Sequence, residues 1–129
     1  MVGIWKSYSE VFLIIVGVVT LVSFGLPLTL APLRWARLFR WEVPQSQALV
    51  TFLGRSLGVF ISIISIMAFM VIRTPVAMPF FFDLLIWLFA GMIVLHVYGA
   101  IRRVQPFTET LEILLWVILS FITLGFYPI

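Results

Sequence analysis

The chain has 129 residues, 64% of them hydrophobic and 10% charged, against about 45–50% and about 25% in ordinary soluble domains. Eight basic and five acidic side chains cannot wet the surface of a water-soluble domain of this size, and the mean hydropathy of +1.24 assigns the whole chain, as one domain (1–129), to a lipid bilayer. Cysteine is absent, which excludes disulfides, thiolate catalysis, Fe–S clusters and thiol redox relays.

Four charge-poor stretches each approach the roughly 20 residues a spanning helix needs. The expected helices are about 7–26, ending before Pro27 and Pro32; about 45–72, interrupted by Arg55; about 80–101, starting after Pro75 and Pro79; and about 106–127, closed by Gly125 and Pro128. The apolar runs are continuous rather than alternating, and a transmembrane barrel needs at least about eight strands. The first stretch has a long apolar part, only Lys6 before it and no A-x-A site after it, so an uncleaved helix is expected rather than a secretory signal. Short connections predict an all-α, integral membrane four-helix bundle of up-down-up-down order.

Between the first two helices, Arg34, Arg37 and Arg40 share one helical face while Trp35, Leu38 and Phe39 share the opposite one. This predicts a short amphipathic helix lying in the membrane interface, its basic face toward headgroup phosphate. Arg34, Arg37, Arg40, Arg102 and Arg103 flank one side of the predicted bundle, and only Lys6 and Arg73 the other. The excess of basic residues places both basic loops in the cytoplasm and both termini outside a cytoplasmic (inner) membrane. The net charge of +3 therefore points to anionic lipids, and no nucleic acid is expected as a partner.

Polar groups inside membrane helices are the informative ones, because each is costly to bury alone. In the second helix Thr51, Arg55, Gly58, Ser62 and Ser65 form a stripe of small or hydroxylated residues around one Arg, an expected close-packing face with Arg55 turned inward. Glu109 and Glu112 lie in the first turns of the fourth helix, where acids suit the helix dipole, on a stripe with Trp116, Ser120 and Thr123. His96 approaches the same side from the third helix, on a face with Gly99 and Arg103. A buried cluster of Arg55, His96, Glu109 and Glu112 is expected, with an Arg55–Glu112 or Arg55–Glu109 ion pair at its core. Such a cluster pins helix register, relays protons or anchors a ligand. A metal site could draw only on the single His and the five carboxylates, and no metal or cofactor is expected; tetrapyrrole ligation by His96 is the outlying alternative. Asp83, after three Phe residues, reads as a helix-start charge with a surface partner, and Trp5, Tyr8, Trp35, Trp41 and Tyr127 as interfacial aromatics.

In size, helix count and loop economy, and in Gly17 and Gly25, the basic connection and the Gly54-Arg55 step, the chain resembles the small four-helix bacterial membrane proteins of the DoxX-like families. That resemblance implies an accessory component of membrane redox or lipid-related systems. Small multidrug-resistance transporters share the size, but they need a Glu inside the first helix. Here Glu10 sits among Lys6, Ser7 and Ser9 near the interface, and only Gly125 lies near the end of the fourth helix, so drug–proton exchange is not expected.

No nucleophile-elbow, zincin, P-loop or dinucleotide motif occurs. The sequence thus predicts a non-catalytic accessory or structural subunit packing against larger membrane partners. The alternative is a binding or transport module for a lipid-, quinone- or anion-headed molecule held by the Arg/His/Glu cluster.

Overall fold

The structure, a computed structural model, describes residues 1–129. The chain is all-helical, without strands, and its five helices are α1 (Lys6–Leu30), α2 (Pro32–Leu38), α3 (Ala48–Val71), α4 (Pro75–Arg102) and α5 (Phe107–Gly125). All but α2 are long and apolar enough to cross a membrane.

The prolines do less to bound the helices than their positions in sequence predict. α1 runs through Pro27 to Leu30, and Leu21–Gly25 just before that proline is wound as a π-helix. A proline inside a helix removes an amide donor and crowds the carbonyl four residues back, and widening the turn is one way to absorb it. Four residues before Pro27, the Ser23 carbonyl accepts a hydrogen bond from the Trp35 indole Nε1–H at 3.0 Å. α4 likewise starts before Pro79, not after it: Pro75–Ala77 form a 3₁₀ turn and Pro79 occupies the first turn of the α-helix, where no amide donor is needed. α3 begins at Ala48, later than expected, and α5 spans Phe107–Gly125 rather than 106–127.

The chain divides into two compact units, Met1–Phe12 with Val71–Ile129, and Leu13–Met70. In the second of these, α1 and α3 approach at small residues, with partners stepping in opposite directions along the two helices. Gly17 lies against Phe69, Thr20 Oγ1 is 2.8 Å from Ser65 Oγ, Gly25 meets Ser62 and Gly58 meets Thr29, while Gly54 meets Pro32 at the start of α2. Whichever of the Thr20 and Ser65 hydroxyls donates, the other can donate to its own helix, at Val16 O or Ile61 O. A Cβ on Gly58 would fall on the Thr29 backbone, so the approach depends on glycine there.

In the other unit, α4 and α5 form a hairpin. α4 ends in a left-handed residue, Arg103 (φ 54°), whose N–H donates to Ala100 O, while Val104 N–H reaches Gly99 O. These two bonds close the helix in the Schellman manner. The core of this unit is aromatic: Phe82 and Phe89 are almost wholly buried, Phe12 stacks on Phe126 at 4.8 Å, and Phe89 lies 5.7 Å from Trp116. The residues before α1 pair with the end of α5 through Gly3 N–H to Leu124 O and Trp5 N–H to Gly125 O.

Candidate functional site: a buried His–Glu–Glu centre

His96, Glu109 and Glu112 meet inside the α4–α5 hairpin, with only 4%, 7% and 9% of their surfaces exposed. Residues three apart on a helix share a face, so Glu109 and Glu112 point the same way from the start of α5. His96 faces them from the last two turns of α4. Its Nε2 is 3.0 Å from Glu109 Oε2 and 3.4 Å from Glu112 Oε2. The other ring nitrogen, Nδ1, is 2.7 Å from Met92 O. A carbonyl only accepts, so Nδ1 carries the hydrogen and Nε2 is the atom turned to both carboxylates.

Two neighbours complete the surroundings. The Trp116 ring, 7% exposed, lies 6.1 Å from the imidazole and one turn beyond Glu112, giving the centre an aromatic wall. Gln105, in the turn between the helices, donates through Nε2 to His96 O at 2.9 Å and to Thr110 Oγ1 at 3.1 Å. It fits because Gly99 has no side chain: a Cβ there would overlap the Gln105 amide. Neither Gln105 nor the Met92 carbonyl was among the residues picked out by sequence. The second had a signal, since a carbonyl four residues before a helical polar side chain is its nearest backbone acceptor.

Arg55 belongs to the other compact unit. It is exposed on α3; the ion pairs within the α4–α5 hairpin are those of His96 with the two glutamates. Within the hairpin, the partners of His96 are Glu109 and Glu112. The exposure of Arg55 follows from α3 itself. Its buried side follows Gly54, Gly58, Ser65 and Ala68, and at 100° per residue Arg55 stands about 80° round from Ser65. Of the expected stripe, Gly58 and Ser65 are buried and Thr51 and Ser62 half-buried.

The basic face of the connection is also partly revised. Arg34, Arg37 and Arg40 are all exposed, but α2 ends at Leu38, and Arg40 has left-handed backbone (φ 64°) beyond it. Trp35 and Phe39 stack at 4.4 Å and turn toward Phe24, whereas Leu38 is exposed. An open groove of about 460 Å³ runs between Val22 and Pro27 on α1 and Arg34 and Leu38 on α2. Asp83 accepts a hydrogen bond from the Tyr127 hydroxyl at 2.8 Å. Its partner is thus an aromatic from the residues after α5, which had been read only as an interfacial side chain.

Compared with protein-family models, curated proteins and solved structures, the chain matches none.

Proposed function

We propose that the chain is a small multi-pass protein of a cytoplasmic membrane that serves as a binding module, taking up a positively charged ligand at the His96/Glu109/Glu112 centre. One observation carries this reading: a single imidazole faces two buried carboxylates. One base balances one acid, and a second carboxylate without a counter-charge is expensive in a low-dielectric surround. The centre is complete only when further positive charge arrives. Two carboxylates gathered on one imidazole favour a cation over an anion.

In this reading the four long helices cross the lipid in up-down-up-down order as a bundle. Arg34, Arg37, Arg40, Arg102 and Arg103 mark the cytoplasmic side, α2 lies in that interface, and both termini are outside. Anionic lipids are the ordinary partners of the exposed arginines.

The test is the chain expressed alone in mild detergent. A binding module is monodisperse, and Glu112→Gln keeps or raises its thermal midpoint, because the remaining His96–Glu109 pair is balanced. A midpoint lowered by several degrees would mean that Glu112 only pins α4 to α5, and the reading fails.

A second reading, an accessory subunit packing against larger membrane partners, is favoured by Gly91. This glycine lies midway along α4, exposed, with nothing within 4 Å of where a Cβ would stand, a notch in which another helix could seat closely. It predicts stoichiometric co-purification with a larger assembly and loss of stability in isolation.

A further inference from the structure

We propose that the ligand of the His96/Glu109/Glu112 centre is one divalent first-row transition-metal ion, held by His96 Nε2 and one oxygen from each glutamate. This rests on the reading of the centre as a site for positive charge and names the chemical class of that charge.

The first argument is geometric. Such an ion sits about 2.0–2.2 Å from nitrogen and oxygen ligands, which sets ligand-to-ligand separations of roughly 3.0–3.5 Å for octahedral or tetrahedral angles. The Nε2–Oε2 separations of 3.0 and 3.4 Å already lie in that range, and all three donor atoms lie within 4.8 Å of one another. Hydrogen bonding alone explains the arrangement less completely. Nε2 has one direction in which to make a well-aligned bond, and Glu109 takes it, yet Glu112 is drawn to the same atom.

The second argument is the orientation of the ring. Metal-binding histidines regularly donate their other ring N–H to a carbonyl or carboxylate, which fixes the tautomer and raises the basicity of the ligating nitrogen. The 2.7 Å contact of His96 Nδ1 with Met92 O is such a bond, and Gln105 braces the backbone of the same residue through His96 O.

The third argument is charge. A divalent ion with two carboxylates and a neutral imidazole has no net charge, the state a buried site favours. The donor set narrows the ion further. Mg²⁺ and Ca²⁺ prefer all-oxygen sites, and the absence of cysteine removes the soft thiolates that select Cu(I). Imidazole with carboxylates suits Zn²⁺, Fe²⁺, Mn²⁺ or Co²⁺. Three protein ligands leave a coordination position for water or a small donor molecule.

The experiment uses the full chain with a non-histidine affinity tag, reconstituted in lipid nanodiscs, treated with chelator and desalted. Zn²⁺, Co²⁺ or Mg²⁺ is then added and the retained metal measured per chain. The expected result is one Zn²⁺ or Co²⁺ per chain, no retained Mg²⁺, and visible Co²⁺ bands of the bound ion. Glu112→Gln and His96→Gln should each weaken Zn²⁺ binding at least tenfold, with helical circular dichroism unchanged. The assignment is overturned if folded wild-type protein retains no stoichiometric ion, if it retains Mg²⁺ equally, or if both variants bind as wild type does. The thermal midpoint of metal-free Glu112→Gln separates the two levels of the proposal. If no ion binds but that midpoint holds or rises, only the metal assignment falls; if it drops by several degrees, the positive-ligand reading falls with it.

Discussion

Pro27 has no amide hydrogen, and the consequence is carried by a side chain far along the chain: Trp35 Nε1–H donates to Ser23 O at 3.0 Å. Trp35→Phe keeps an aromatic ring beside Phe24 and Phe39 but leaves that carbonyl without its donor. The expected cost is about 1 kcal/mol, read as a lower thermal midpoint in detergent. Pro27→Ala restores an amide in the helix, so in that background Trp35→Phe should cost clearly less. Both residues are plain in the sequence. Their connection was not, because periodicity reports which face a residue occupies and not which distant carbonyl lacks a donor. His96, Glu109 and Glu112 were legible as a group because each is an ionisable residue in an apolar stretch, and the two acids share a helical face. Arg55 is ionisable too, and it stands exposed on α3 in the other compact unit. A face drawn through Thr51 and Ser62 is wide enough to include it, while the contact itself centres on Gly54, Gly58 and Ser65.

Helices are held to one another here by what glycine omits. Gly58→Ala sets a methyl group against the Thr29 backbone, which cannot retreat as a side-chain tip can. A loss of about 2–3 kcal/mol is expected, while Gly91→Ala, with open space around it, should change the midpoint little. At the end of α5, the Tyr127 hydroxyl donates to Asp83 on α4, and that bond to a carboxylate pushes the phenol above its usual range near 10. A raised phenol favours the protonated, donating form in the folded protein. The tether is therefore whole below the ordinary phenol range and is lost as pH climbs through the raised folded value. In an alkaline absorbance titration, Asp83→Asn should make the Tyr127 phenol ionise at lower pH than in wild type. Helix positions were legible from apolar run length, but their ends were misjudged at Pro27 and Pro79. A proline at a first turn, or beside a widened one, interrupts a helix far less than one in a regular interior.

At the scale of the whole molecule, composition and structure agree: few charged groups, many exposed Leu, Ile, Val and Phe side chains, and four helices long and apolar enough to cross a membrane. The orientation proposed from the arginines is open to direct measurement because the chain has no native cysteine. Single cysteines at Arg37 and Thr74 should react with an impermeant maleimide from opposite sides of sealed vesicles; labelling of both from one side would discard the topology. The identity of a ligand was not legible, because a polar cluster in the sequence shows that charges meet without giving their surplus. That surplus emerges only once His96 is seen to face two acids.

The closeness of these three groups along the chain also bears on biogenesis. His96 and Glu109 are 13 positions apart, on the facing arms of one hairpin, so they emerge from the ribosome almost together. An acidic segment presented alone to lipid would be charged the full penalty of its glutamates. On the proposed membrane reading, α5 delivered as a folded-back pair would arrive with a base already at hand, and the same partnership would ease its passage into a bilayer.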